Sequence, residues 1–289
     1  MEAFLKIARA GYPCEAWVGI FFAAQVFIAV VFLAAAPYPA LSAEPLLTAS
    51  APSASLKTSI GERFSGEEFN YKVGFWIFDG VAVAKIKLEK TGNLYIATLT
   101  ARTTGAARWL HSREDVYVAT LEEVDGGKRF RTLVFEENST IGGRVKRSVT
   151  VLDKNTGALK WTRWRKGVEK DNGSVVLRDG VYYDDPLAAF YNFRYGAYGK
   201  VEENKKFRIK TFPKARGQEV DIDMDIRSAP NDGSEKEEIA YLADARLDKD
   251  LFDSSSGLVE IFFDKELVPI KAVAKDIVLF GDVRGELER

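Results

Sequence analysis

The chain has 289 residues, with 41 Lys and Arg against 42 Asp and Glu, one histidine and one cysteine. A net charge of -1 argues against the basic face that nucleic acid demands and against strong electrostatic binding to anionic lipid. The lone Cys14 and lone His111 cannot make a disulfide framework or a histidine- or cysteine-rich metal site.

Lys6 and Arg9 precede an apolar, charge-free run at residues 16–36, closed by Pro37-Tyr38-Pro39-Ala40-Leu41-Ser42-Ala43. A charged start, a greasy middle and a small-residue exit are the layout of an export signal. Ala40-Leu41-Ser42 fits the small-x-small pattern, which puts cleavage after Ser42; cleavage after Ala43, with Leu41 at the upstream position, is the less favourable alternative. Spanning a bilayer takes about 20 apolar residues, so an uncleaved membrane anchor is the alternative. Basic residues lie only before the run, so both readings export the body of the protein. Cys14 also lies before the run, whereas a lipid-modified cysteine would follow it. Losing residues 1–43 removes two charges of each sign and leaves the balance unchanged.

Residues 1–43 are thus expected to be a signal peptide or anchor, residues 44–60 a flexible Ala/Ser/Pro-rich linker, and residues 61–289 one domain. The domain reads as a succession of strands. Runs at 69–78 and 81–88 flank Asp79-Gly80, a pair suited to a two-residue hairpin loop. A third strand follows at 93–102, giving a meander. Further strands are expected at 114–124, 129–137, 145–152, 159–165, 174–177, 205–212, 219–227, 257–263 and 269–279, separated by Gly/Asp-rich turns. Val220, Ile222, Met224 and Ile226 alternate with acidic residues, the mark of a half-buried strand. In the first hairpin Val73, Phe75 and Ile77 would face one way and Trp76 and Phe78 the other, so both faces would need cover.

One helix stands out at 186–194. Asp185 supplies an N-cap, Pro186 fills the first helical position, and Tyr195-Gly196 stops it. Leu187, Phe190 and Tyr191 form its apolar stripe, extended by Phe193 or Arg194, so it should plug or cover an open end of the sheet. A second helical segment at 235–250 has only a weak pattern. The expected class is all-β: a curved antiparallel sheet closing into a barrel-like or roll architecture with one short covering helix.

Three blocks carry a family resemblance: GEEFNYKVGFWIFDGVAVAKIKL near the start, DDPLAAFYNFR near the middle and LVPIKAVAKDIVLFGDVRGEL at the end. In that order they resemble the bacterial exported proteins grouped as domain of unknown function 3108. The resemblance implies a barrel-like antiparallel sheet in the Gram-negative envelope or periplasm. It implies no activity and transfers no functional residue.

Ser112 adjoins His111, but strand neighbours point to opposite faces, so the pair makes no nucleophile and base. Asp184-Asp185 before Pro186 reads as a helix cap rather than an acid/base pair. Asp221, Asp223 and Asp225 are spaced too widely along a strand to grip one calcium ion, and pairing with neighbouring Lys and Arg explains them better. Asp153-Lys154-Asn155-Thr156-Gly157 is a turn lacking the later ligands of a calcium loop. Trp161, Arg163 and Arg165 would share a face that could stack sugars or bases or hold phosphate, against ordinary Arg-on-Trp packing.

No catalytic residue, metal or cofactor is therefore expected. The leading expectation is a non-enzymatic module holding a lipid or other amphipathic ligand, with Phe75, Trp76, Phe78, Phe190, Tyr191, Phe193 and Tyr195 as candidate contacts. A structural or assembly factor binding an envelope protein is the alternative, and a carboxylate-based polysaccharide hydrolase comes third. Membrane contact is expected only through the N-terminal segment.

Overall fold

The structure, a computed structural model, describes residues 58–75, 78–110, 112–213, 218–228, 239–247, 254–277 and 281–288. The expected signal or anchor helix lies outside the described residues, as do Trp76 and His111. Among the described residues no helix is long and apolar enough to cross a membrane.

The chain folds into one antiparallel sheet. Its strands are β1 (Glu68–Phe75), β2 (Phe78–Thr91), β3 (Leu94–Thr103), β4 (Arg113–Val124), β5 (Arg129–Ile141), β6 (Arg144–Asp153), β7 (Ala158–Arg165), β8 (Val168–Val176), β9 (Lys206–Lys210), β10 (Asp221–Ser228), β11 (Tyr241–Arg246), β12 (Leu258–Phe263), β13 (Pro269–Ile277) and β14 (Gly281–Leu287). Their order across the sheet is β8-β7-β6-β5-β4-β3-β2-β1-β14-β13-β12-β11-β10-β9. Every neighbour is consecutive in the chain except β1 with β14, which joins the two ends. Pairing consecutive strands keeps the closed loops short and the entropy cost low.

Among the described residues three helices complete the fold: α1 (Ile60–Phe64), α2 (Gly105–Leu110) and α3 (Pro186–Tyr195). Five register shifts, in the pairs β1–β2, β4–β5, β7–β8, β12–β13 and β13–β14, insert extra residues that bend the strands. The sheet curls around α3. On one side Phe190 and Tyr191 belong to the core with Leu99, Leu121 and Phe130, and on the other Phe193 meets Phe207 of β9 and Phe263 of β12.

Three expectations are corrected here. First, the sheet curls but does not close: β8 and β9 are its two edge strands and do not pair with each other. The segment leading into α3 occupies the seam. The Asp184 N–H donates to the Lys210 carbonyl at 3.0 Å, and the Phe212 N–H donates to the Asp184 carbonyl at 3.2 Å. Arg178 and Tyr183 reach Glu219 on the β9–β10 side, Tyr183 at 2.7 Å. Second, α3 is not a lid with one apolar stripe. All eight residues from Leu187 to Arg194 are buried, as a helix enclosed on every side requires. Third, Asp79-Gly80 is not the hairpin loop. Phe75 already pairs with Phe78, and Asp79, Gly80 and Val81 then face Gly74 alone as a bulge, with Gly80 at φ 64°. Gly74 lies so close to the Phe78 carbonyl that a side chain there would clash.

Strand β1 is one-sided up to Val73, with Phe69, Tyr71 and Val73 buried and Glu68, Asn70 and Lys72 exposed; of the residues expected to be apolar on both faces, Trp76 and Ile77 lie outside the described residues. The 235–250 segment contains strand β11, and its described residues form no helix. The fold begins before residue 61. Ser59 caps α1 through a reciprocal pair with Glu62, and Ile60 is fully buried, its N–H donating to the Gly127 carbonyl at 2.8 Å.

Candidate functional site

The candidate contact residues do not gather around a pocket. Phe190, Tyr191 and Phe193 are almost fully buried in the core, packed against Phe64, Phe130, Phe207 and Phe263. Tyr195 is half-buried and donates its hydroxyl to the Thr58 carbonyl at 2.8 Å, tying α3 to the start of the fold. Phe75 and Phe78 lie at the far end of the strands, their rings 5.6 Å apart. Trp76 lies outside the described residues. The aromatic set therefore divides between the core and a hairpin tip.

Two buried polar clusters dock α3. At its start, Asp185 accepts from the Leu187 N–H at 2.7 Å and the Ala188 N–H at 3.3 Å, and Thr132 of β5 donates to its other oxygen. Asp184 pairs with Arg129 and accepts from Tyr198. Arg129 is itself sandwiched between the Tyr182 and Tyr198 rings at 4.4 and 4.8 Å. Burial pushes Asp185 up to about 7, opposed by the Thr132 and backbone hydrogen bonds. The Asn192 amide completes the docking, receiving the Phe130 N–H at 2.7 Å and donating to the Phe130 carbonyl at 2.9 Å. At the other end, Arg194 forms a two-pronged pair with Glu67, at 2.6 and 3.2 Å, over the rings of Phe64, Phe69 and Phe190. Both carboxylates of the Asp184-Asp185 motif are thus committed to holding the helix.

A third polar group is different because α3 does not fill it. Strand register places side chains in rows on the face of β4–β8 that is continuous with the core. One row runs Ala119, Phe135, Thr150, Trp161, Gly173, the next Tyr117, Glu137, Ser148, Arg163, Asp171, and the next Asp115, Ser139, Lys146, Arg165, Val168. Arg113, Ile141 and Arg144 make the outermost row. Neighbouring strands lie about 4.8 Å apart and successive rows about 7 Å apart, so this is a graded wall from apolar to cationic.

Within the wall, Asp115 is fully buried and accepts from Arg113 Nε at 2.7 Å, while its Oδ1 has no hydrogen-bond partner. A buried acceptor without a donor is costly. Arg163 pairs with Asp171 at 3.0 Å, and the Trp161 indole N–H donates to the same carboxylate at 3.3 Å. Lys146, Arg165 and Arg144 are exposed and have no ion-pair partner among the described residues. Lys146 is held below the ordinary amine range by partial desolvation and by Arg165 and Arg113 beside it. Glu137 is pushed up by burial, and Asp115 adds to this, while Arg163 and Ser148 pull it down. Of this wall, sequence reasoning identified only the Trp161, Arg163, Arg165 stripe.

The other motifs resolve into ordinary pairing. Asp221, Asp223 and Asp225 face Lys210, Arg208, Lys206 and Arg246 on the flanking strands. Arg147 stacks on Trp164 at 5.3 Å on the opposite face of the sheet. Asp153 caps its own turn through the Asn155 and Thr156 N–H groups.

No protein-family model matches the chain, and no curated protein matches it. One solved structure to which the chain is similar is described as a beta-barrel-like protein of domain of unknown function DUF1849 from Brucella abortus. It is 13% identical, with 77% of this chain and 95% of that chain covered, at a TM-score of 0.37. Its title does not name the family that the sequence blocks resemble.

Proposed function

We propose that this chain is an exported bacterial envelope protein that acts as a non-enzymatic binding module. The wall of β4–β8 is its working surface. The observation that carries this reading is the imbalance on that wall: three cations without an ion-pair partner among the described residues, Arg144, Lys146 and Arg165, stand beside a buried carboxylate with one oxygen unsatisfied. Like charges gathered on one surface repel, and a bound anion relieves the repulsion. The ligand is polar or amphipathic, with its polar part on this wall, because the aromatic side chains of α3 are spent on the core. No catalytic role is assigned, since Asp184 and Asp185 anchor the helix and Asp115 and Glu137 stand on one wall rather than across a cleft.

The export reading rests on Lys6, Arg9, the apolar run and the small-residue exit. Native mass spectrometry of protein purified from the envelope tests the binding reading. A small molecule retained by the wild type and lost from Lys146→Glu/Arg165→Glu supports it. A wild type that carries nothing, in repeated mild preparations, overturns it.

A second reading, docking of a partner protein, is favoured by one feature. Edge strand β8 is exposed, and Val168 and Val176 at its ends are 55% and 71% accessible. Its Glu169, Lys170 and Asp171 are the charged guards that keep such an edge from pairing indiscriminately.

A further inference from the structure

We infer that the β4–β8 wall is a binding site for an acidic saccharide. This deepens the binding-module reading and rests on it. Three independent features of the wall converge on that ligand class.

The first is an aromatic platform. Trp161 and Gly173 are directly paired across β7 and β8, and a Cβ on Gly173 would run into the indole ring. Glycine at this position therefore lets the ring lie flat across the neighbouring strand. The indole N–H is anchored on Asp171 at 3.3 Å, which fixes its orientation while the side chain stays half-exposed. A rigid, half-exposed indole is a stacking surface for the apolar face of a sugar ring.

The second is a row of cations without partners. Arg165 lies four residues along the same strand from Trp161, on the same face, and Lys146 is its direct cross-strand partner. Arg144 extends the group on β6. These supply the charge-assisted hydrogen bonds that a carboxylate or phosphate group on the sugar requires. Arg163, between Trp161 and Arg165, is already paired with Asp171 and contributes less.

The third is a supply of hydroxyls and acceptors between these groups. Ser139, Ser148 and Thr150 occupy the intervening positions of the same face, all small enough to leave room above the sheet. A bare inorganic anion would match the cations but would leave the platform unused.

The test is a titration of the full-length chain, followed by tryptophan fluorescence and by calorimetry. The probes are a short oligomer of galacturonic acid, its neutral methyl ester, and inorganic phosphate. The acidic oligomer is expected to bind and to change the indole emission. The ester should bind about tenfold or more weakly, since loss of one charge-assisted contact has that effect. Lys146→Glu/Arg165→Glu should reduce binding of the acid by a similar factor or more. Trp161→Ala should weaken both acid and ester. Lys128→Glu, half that charge change on an exposed residue of the β4–β5 turn, should leave binding intact. Circular dichroism of each variant separates lost binding from lost fold.

Phosphate binding as tight as the oligomer, or acid binding indifferent to Trp161→Ala in a folded variant, overturns the saccharide assignment and leaves the wall as a plain anion surface. Silence of all three probes also overturns it. Native mass spectrometry then separates the two ideas, because a retained ligand sensitive to Lys146 and Arg165 preserves the binding module without the sugar.

Discussion

The strands that enclose α3 and the three-stranded extension β6–β8 belong to one sheet and obey the same pleat, yet they end in opposite environments. In β3 and β4, alternate residues are wholly buried: Tyr95, Ala97 and Leu99, then Tyr117, Ala119 and Leu121. In β6 and β8 almost nothing is buried, and valines such as Val145, Val151 and Val168 remain in water. Period-two alternation by itself does not make a core. A strand face becomes interior only where another layer covers it, and here that layer is one buried helix about three turns long. Where α3 stops, the face it would have covered stays open and polar, and the candidate site lies there.

The sharpest way to break this contrast is to remove the pairing that holds α3. Arg194→Ala leaves Glu67 buried without its cation and should cost about 3–5 kcal/mol in a urea melt. Much of that cost should return in Arg194→Met/Glu67→Gln, which keeps volume and removes both charges. If the single variant melts like the wild type, the helix is not held as described.

The next effect is on pH dependence. Asp185 has its folded value raised to about 7 against an ordinary value of 3.8. The folded state therefore keeps its proton where the unfolded chain has lost it. Its contribution is fully present below about pH 4 and is lost as pH rises toward 7, by roughly 2–4 kcal/mol. Asp185→Asn retains a capping side chain without the ionisation, so its stability should vary less across that window. Denaturant midpoints at pH 5 and 7 measure the difference, and an unchanged slope would refute the assignment.

On the wing the same kind of substitution should be mild. Phe193→Ala in the core should cost about 3–5 kcal/mol, but Val168→Thr on β8 only within about 0.5 kcal/mol. Comparable losses would mean that the wing is covered in solution. The smallest expected signal is in hydrogen exchange. Amides of β8 should open at lower free energy than those of β3, because few buried contacts secure an edge strand.

Local signals were legible where one or two residues determine the conformation. The Asp185-Pro186 start and Gly196 stop of α3 follow from capping chemistry and hold, with Gly196 at φ 86°. The same kind of local reading misplaced the first turn. Asp-Gly suits a tight loop and a bulge equally well, and only the pairing of Phe75 with Phe78 distinguishes them. Strands β11 and β14 are mixed in composition, Tyr-Leu-Ala-Asp-Ala-Arg and Gly-Asp-Val-Arg-Gly-Glu-Leu, and show little strand pattern on their own. They are strands because their neighbours offer edges. The Trp161, Arg163, Arg165 stripe was readable because it lies within one strand. Its alignment with Ser148, Lys146, Ser139 and Asp115 was not, because register across four strands depends on turns and bulges far apart in the chain.

The order of residues alone determined the elements: a train of antiparallel strands and the capped helix α3. Their causes are short-range, in turn stereochemistry, pleat period and cap hydrogen bonds. Only the tertiary structure decided that the sheet curls without closing, that α3 goes inside it, and that one wall is left with unmatched charge. Those outcomes depend on burial and on cross-strand register, which are properties of the assembled layers and of no single segment.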